Sequence, residues 1–257
     1  IDINKVANDG ATALYVASQE GHVEVVRLLL SKSDIDINKV KDGGATALFV
    51  ASYEGHVEVV RLLLSKSEID IDRVAKDGAT ALYTASYEGH LEVVRLLLSK
   101  RDIDINKARD NGATALFVAS EKNHIEVVKL LLSKSDIDIN KAMDGGFTAL
   151  FTASWKGHVE VVRLLLSKSD IDINKAMNVV SYPKVFVDNV YSDIDINDVT
   201  NGGLTALKIA EYKGFTEIVL LLRSIKLLQQ RQSNMQSTPR QSKYAYKNIQ
   251  WSFWVPF

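Results

Sequence analysis

The sequence predicts an all-α protein of the solenoid type, in which short helix-turn-helix units stack side by side. The first observation is a segment, GATALYVASQEGHVEVVRLLLSK, that recurs at intervals of 34 residues. Five close copies and one weaker copy begin at Gly10, Gly44, Gly78, Gly112, Gly146 and Gly203. The second observation is energetic, because one unit buries too few apolar side chains to offset the entropy of ordering its chain. Neighbouring units must therefore stack to give a stable fold.

Each copy carries the signals of two helices. In the first copy the hydroxyl of Thr12 can cap a helix that continues through Ala13 to Ser18. Gly21 breaks this helix, and a second helix begins at His22. The second helix, HVEVVRLLLSK, is apolar around most of its circumference, so it must be covered on several sides.

A recurrent SDIDIN segment follows the second helix. Ile35 and Ile37 alternate with Asp34, Asp36 and Asn38, which favours a short extended segment with the isoleucines facing the stack. A turn of Asp, Gly and Gly at positions 42–44 comes next. The loops between units are therefore expected to resemble β-hairpins.

The same segment resembles the opening of a calcium-binding loop, which needs Gly at its sixth position and Glu at its twelfth. Counted from Asp34, those positions hold Lys39 and Ala45, and no other copy satisfies the pattern. A metal site is therefore not expected, and the segment is interpreted as a structural edge of each unit.

TALYVASQEGHVEVVRLLLSKSDIDIN resembles the ankyrin repeat, whose pattern is TPLHxAAxxGHxEVVxxLLxxGADVN. The resemblance covers about residues 9–226 and recurs in six copies. It implies a stack of helix-turn-helix units joined by β-hairpin-like loops, and a protein-binding function that uses the hairpin tips and the exposed face of the first helix. The proline of the family pattern is alanine in every copy, as at Ala13, and its histidine is aromatic in five copies, as at Tyr15. An aromatic contact is expected in place of the usual Thr–His hydrogen bond.

The repeats divide the chain into three parts. Residues 1–9 are interpreted as the end of a truncated upstream repeat, so more ankyrin sequence is expected upstream in the parent protein. Residues 10–228 form the repeat domain, with an insertion at about 178–191 that is either a binding loop or a covering flap. Residues 229–257 are basic, rich in Gln and Ser before an aromatic end, WSFWVPF, and are expected to be a disordered tail.

Composition argues against several classes of function. The net charge is −1, there is no cysteine, and no apolar run approaches the length of about 20 residues that spans a bilayer. No phosphate-binding loop, nucleophile–base pair or metal-ligand spacing is present, so no enzyme activity, cofactor or small-molecule substrate is expected. The five histidines occupy one repeat position, too far apart to share a zinc ion, and are interpreted as helix-start residues. Nucleic acid and membranes are not expected partners.

Candidate binding residues are those that differ among the copies. At one exposed position of the first helix, four of six copies are aromatic: Tyr53, Tyr87, Trp155 and Tyr212. The loop tips also vary, and include Lys41, Lys76, Arg109 and Met143. Aromatic residues are enriched at binding hot spots. The alternatives are that these rings pack on their neighbours and that the charged tips are only solvated.

The sequence therefore predicts a scaffold or adaptor that binds a protein partner through the concave face and hairpin tips of an ankyrin stack. The chain is expected to be monomeric and cytoplasmic. The alternative is a spacer or regulatory segment of a larger protein whose catalytic, membrane or receptor domain lies elsewhere.

Overall fold

A computed structural model of the protein describes residues 2–176 and 203–237. These residues form twelve α-helices in six pairs, which confirms the predicted all-α solenoid. The first helices of the pairs, the inner helices, are α1 (Ala13–Gln19), α3 (Ala47–Glu54), α5 (Ala81–Glu88), α7 (Ala115–Glu121), α9 (Ala149–Lys156) and α11 (Ala206–Tyr212). The second helices, the outer helices, are α2 (Val23–Leu30), α4 (Val57–Leu64), α6 (Leu91–Leu97), α8 (Ile125–Leu132), α10 (Val159–Leu166) and α12 (Thr216–Ser237).

Each inner helix is capped by the threonine that precedes it, as the sequence predicts. The Thr12 hydroxyl accepts a hydrogen bond of 3.0 Å from the backbone N–H of Tyr15, and Thr46 accepts one of 3.1 Å from Phe49. The same bond recurs at the four later copies, at Thr80, Thr114, Thr148 and Thr205. Helices of seven or eight residues are marginal in water. The caps and the packing between neighbours therefore supply the stability that the inner helices lack alone.

The inner helices pack on one another in chain order, and the outer helices do the same. Their apolar side chains join in one continuous core that runs along the stack. Packing from both sides is needed to bury an outer helix. Val59 of α4 is 0% exposed, whereas the equivalent Val25 of α2 is 46% exposed, because α2 has a neighbouring outer helix on one side only.

The SDIDIN segments are not extended strands, so this expectation is wrong. Residues 33–34 and 37–38 form turns, and the loops include the isolated β-bridges Val6–Thr12 and Ala142–Thr148. The isoleucines do face the stack, since Ile37 is buried and Ile35 is partly buried against the core. The alternation in sequence reflects successive turns rather than a pleated strand.

The asparagine that ends each segment connects one repeat to the next. The Asn38 side chain donates a hydrogen bond of 2.8 Å to the Glu68 carbonyl and accepts one of 2.8 Å from the Asp70 N–H. Asn4, Asn106 and Asn140 make the same pair of bonds to their following repeats. One amide therefore satisfies two backbone groups of the neighbouring loop. We call this series the asparagine ladder.

Asp72 interrupts the asparagine ladder. Its Oδ2 accepts a hydrogen bond of 2.9 Å from the Asp104 N–H, but a carboxylate has no N–H to donate. Its Oδ1 is buried without a hydrogen-bond partner, and burial raises the pKa of Asp72 above its usual value. The ionised carboxylate is therefore a weak point at the junction of the second and third repeats.

The last outer helix is longer than the others, and it crosses the expected domain boundary. α12 continues through Ser237, so the boundary predicted at residue 228 falls inside a helix, and residues 229–237 are helical rather than disordered. Arg223, which replaces a buried leucine of earlier copies, is exposed and bonds the Glu211 carboxylate at 2.8 Å. The insertion at 178–191 and residues 238–257 of the tail lie outside the described residues.

Replacing Asp72 with asparagine is expected to stabilise the protein by about 1 kcal/mol at neutral pH, because an amide can complete the ladder. Folding raises the pKa of Asp72. The ionised carboxylate therefore lowers the free energy of unfolding at pH values above the folded pKa. This destabilisation disappears as the pH falls below the unfolded value of about 3.9. The advantage of Asp72→Asn should therefore shrink between neutral pH and about pH 4.

Urea denaturation at several pH values measures this difference. Asn106→Asp is the matched reverse change, and it should destabilise the chain at neutral pH by a similar amount. Equal stability of wild type and Asp72→Asn at neutral pH would contradict the assignment.

Candidate functional site

An open groove lies between the exposed face of the inner helices and the loop tips. Its larger part has a volume of about 400 Å³ and is lined by aromatic side chains of the first three repeats together with Glu54, Asp77 and Arg109. A second part of about 250 Å³ continues toward α9 and includes Met143 and Trp155. Tyr87 and Arg109 line both parts, so the two are adjacent. We call the whole surface the inner groove.

The structure brings together five of the eight predicted binding residues in the inner groove: Tyr53, Tyr87, Arg109, Met143 and Trp155. Lys41, Lys76 and Tyr212 line neither part of it. Tyr53 is 44% exposed and Tyr87 is 37% exposed, so both rings are available at the surface. Trp155 and Met143 are partly buried against an aromatic cluster that includes Phe147 and Phe151. These two side chains therefore also have a structural role.

Two of the predicted loop-tip cations are engaged within the chain. The Lys41 ammonium lies 3.0 Å from Asp9 Oδ2 and 5.2 Å from the centre of the Tyr15 ring, and its hydrogen bond lowers the pKa of Asp9. Arg109 pairs with Asp77 and lies 5.1 Å from the centre of the Tyr83 ring. These residues connect neighbouring loop tips to the inner helices.

The remaining loop-tip cation, Lys76, is exposed, and its backbone N–H donates to the Gly43 carbonyl at 2.7 Å. Among the described residues, its ammonium group has no hydrogen-bond or ion-pair partner.

Histidine fixes the backbone at the aromatic position of the groove. His90 Nε2 lies 2.8 Å from the Tyr53 carbonyl oxygen, and His124 Nε2 lies 2.9 Å from that of Tyr87. His56 and His158 make the same bond to Gln19 and Glu121. The histidines precede the outer helices, as the sequence predicts, but their side chains make no cap within their own helix. Sequence reasoning missed this bond between repeats, although the constant spacing of the five histidines was a signal for it.

The histidine contact changes at the last repeat. Phe215 takes the place of the histidine, and its ring lies about 3.0 Å from where a Cβ on Gly157 would stand. His90 and His124 occupy the same place beside Gly55 and Gly89. A phenyl ring fills this space but has no N–H to donate. The last repeat is therefore joined to the stack by packing alone at this point.

A second side-chain contact crosses two of the boundaries between repeats on the groove face. Lys122 Nζ lies 4.2 Å from the centre of the Tyr87 ring, 35 residues earlier in the chain. Lys156 Nζ lies 3.8 Å from Glu121 Oε1, again 35 residues earlier. The contact with Tyr87 is the main cause that raises the pKa of Lys122. Lys122 and Lys156 thus each reach back to the equivalent groove position of the preceding repeat, Tyr87 and Glu121.

Within residues 2–176 and 203–237, no helix combines the length and apolar character required to cross a bilayer. In the same ranges, no three His, Cys, Asp or Glu side chains lie together in a group that could hold a metal ion.

Comparison with known protein families assigns the repeats. A family model described as ankyrin repeats (3 copies) matches residues 1–75, 33–109, 68–143 and 101–177. These matches together span residues 1–177, more than half of the 257-residue chain. The chain belongs to the ankyrin-repeat family. Ankyrin repeats are generally protein-interaction modules, and the family is generally non-catalytic.

Solved ankyrin structures have the same architecture. EF0377, an ankyrin repeat protein, is 26% identical to this chain with a TM-score of 0.69, and the match covers 85% of this chain and 98% of that one. An ankyrin repeat domain from Acinetobacter baumannii AYE, ABAYE2397, is 23% identical with a TM-score of 0.68, covering 83% and 97%. The similarity to ABAYE2397 shows a shared fold and nothing more. Curated protein sequences give no match.

Replacing His90 with phenylalanine, the residue that the chain itself has at position 215, should destabilise the stack by about 1–2 kcal/mol. The change removes the hydrogen bond to the Tyr53 carbonyl while it preserves most of the packing. Chemical denaturation measures the effect. His22→Phe is the matched control, since the exposed His22 ring makes no hydrogen bond in the described part of the chain, and it should change stability by less than about 0.5 kcal/mol. Equal effects of the two changes would show that the bond contributes nothing.

Proposed function

We propose that this chain is a non-catalytic interaction scaffold or adaptor that binds a protein partner through the inner groove. The proposal takes the chain to be a monomer that acts inside the cell, in the cytoplasm. Its principal support is the presentation of Tyr53 and Tyr87, two exposed rings over a groove of about 400 Å³. Membership of the ankyrin-repeat family supports the same role.

The groove is suited to binding because its aromatic positions are ordered before a partner arrives. The backbone at Tyr53 and Tyr87 is fixed by hydrogen bonds from His90 and His124 of the following repeats. A preformed surface loses less conformational entropy on association than a mobile loop does. Tyrosine adds a large contact area and a polar hydroxyl, which is why it is frequent at hot spots.

The contribution of the remaining candidates follows from their surroundings. Arg109, Met143 and Trp155 line the groove but also pack within the chain, so we propose that they shape it as well as contact a partner. Lys76 and Tyr212 are exposed outside the two parts of the groove. We propose them as contacts at the edges of a larger interface, whereas Lys41 serves mainly to anchor its loop to Asp9.

Replacing both Tyr53 and Tyr87 with alanine should weaken partner binding at least about tenfold, because each ring is an exposed groove side chain of the hot-spot type. The intact chain is used first to capture partners, which are identified by mass spectrometry. The affinity of the identified partner is then measured by titration calorimetry for wild type and variant.

The matched control is the double change Val25→Ala and Leu28→Ala, which removes exposed apolar side chains from the outer helix α2. It should leave the affinity unchanged. Circular dichroism must show the same helical content in all three proteins. Equal affinity of the wild type and the tyrosine variant would place the binding surface elsewhere.

A further inference from the structure

Each inner helix has one groove position, the residue that is aromatic in four of the six copies. The charge of the residue that follows this position changes from negative to positive halfway along the stack. Glu20, Glu54 and Glu88 occupy this following position in the first three repeats, and Lys122, Lys156 and Lys213 occupy it in the last three. Within the described residues, none of these three glutamates forms an ion pair, whereas Lys156 pairs with Glu121. The first three repeats therefore present carboxylates without an ion pair at this position, and Glu54 among them lines the groove.

One lysine at this position, Lys122, shows that a side chain here can contact the aromatic ring of the preceding repeat. Lys122 extends across the boundary between repeats and lies over the Tyr87 ring, with 4.2 Å from Nζ to the ring centre. A cation over the face of an aromatic ring is attracted by the negative potential of the π system. Glu88 stands in the equivalent position relative to Tyr53, since both pairs are separated by 35 residues. At Tyr53 the chain thus supplies a carboxylate where at Tyr87 it supplies an ammonium group.

Tyr53 differs in this respect from the other tyrosines of the larger groove. Tyr15 lies under Lys41, Tyr83 under Arg109 and Tyr87 under Lys122. In the described part of the chain, no lysine or arginine covers the Tyr53 ring, which is 44% exposed and lines the groove beside Glu54. Tyr53 is therefore a ring in a partly acidic setting whose face is open to a cation from outside.

Resting on the proposed function, we propose that the inner groove at Tyr53 binds a lysine or arginine side chain from an extended basic segment of the partner protein. The cation lies on the Tyr53 ring, as Lys122 lies on Tyr87, and Glu54 and Glu88 provide the opposite charge. The aliphatic part of the side chain packs on the neighbouring rings of the groove. The change of sign along the groove orients the partner, with its basic residues on the first three repeats and its acidic or neutral residues on the last three.

Charge complementarity selects this occupant over others. Phosphate groups of nucleic acids or lipids would be repelled by the unpaired carboxylates at this end of the groove. A wholly apolar segment would cover Glu54 and leave it without a partner for its charge. A basic peptide satisfies both the rings and the carboxylates.

The first test uses three fluorescent peptides of equal length that carry lysines, glutamines or glutamates at the same positions. Fluorescence anisotropy with the full chain measures their affinities. The lysine peptide should bind at least about tenfold more tightly than the other two, and added salt should weaken its binding. Equal binding of the lysine and glutamine peptides would overturn the proposal.

The second test closes the site with a cation from the chain itself. Glu88→Lys places an ammonium group at the position from which Lys122 covers Tyr87, so it should reduce affinity for the lysine peptide at least about tenfold. Glu160→Lys is the matched control, since it makes the same change of charge on the exposed face of the outer helix α10, and it should change the affinity less than about twofold. Equal effects of the two variants would show nonspecific attraction and overturn the proposal.

Further variants separate the ring from the charges. Tyr53→Phe keeps an aromatic face and should retain binding of the lysine peptide, whereas Tyr53→Leu should weaken it about fivefold. Lys122→Glu uncovers the Tyr87 ring and should strengthen binding of a peptide with several lysines. Equal affinities of the Phe and Leu variants would show that the cation does not lie on the ring.

The outcomes distinguish this inference from the proposed function. Glutamine or glutamate peptides could instead bind best, and the Tyr53 and Tyr87 alanine variant could lose that binding. That result would support the groove as a protein-binding surface and would overturn the proposal that its partner is basic. If no peptide binds and the intact chain captures no partner through the groove, both proposals fail. Self-association that Glu88→Lys abolishes would assign the groove to a second copy of the chain and also overturn the proposal.

Discussion

Side chains of one repeat satisfy the backbone of its neighbour, and the rest of the structure depends on this constraint. Each inner helix has only seven or eight residues, a length at which an isolated helix does not persist in water. His90 and Asn38 each connect one repeat to a backbone group of an adjacent one. Buried or partly buried backbone groups that lack a partner cost free energy, so removing a neighbour is costly on both sides of the core. The stack is stable as a whole because no repeat is complete alone.

The same bonds that join the repeats also fix the backbone of the inner groove. The histidine of each repeat bonds the carbonyl of the groove residue in the repeat before it. The position that varies most in chemistry, from glutamine to tyrosine to glutamate, is therefore held by a residue that does not vary among the first five repeats. A rigid frame can present different side chains at equivalent points without a change in backbone geometry. This separation of frame and variable position suits a surface that recognises an extended partner.

Departures from the repeat are informative because the repeats are so similar. Asp72 replaces a ladder asparagine and leaves a buried carboxylate oxygen without a partner. Phe215 replaces a histidine and leaves only packing at that point of the last junction. The change from glutamate to lysine after the groove position alters the charge of the surface and adds the contacts of Lys122 and Lys156 with the preceding repeats. All three departures therefore affect the connection between repeats, and the third also changes the charge beside the groove.

The sequence by itself determined the period, the solenoid class, the threonine caps and the inward direction of Ile37, because each depends on local propensity and on the spacing of apolar residues. It also indicated Tyr53 and Tyr87 as groove residues, since subtraction of the repeat leaves them. Only the tertiary structure decided that SDIDIN forms turns, that α12 passes residue 228, and that His90 and Asn38 bond across repeats. The bonds of Asn38 and His90 join groups 30 and 37 residues apart that come into contact only when the units are stacked. Which tyrosine is covered by a cation is likewise decided by the folded chain, because the cation over Tyr87 comes from the following repeat and those over Tyr15 and Tyr83 come from loop tips 26 residues further along the chain.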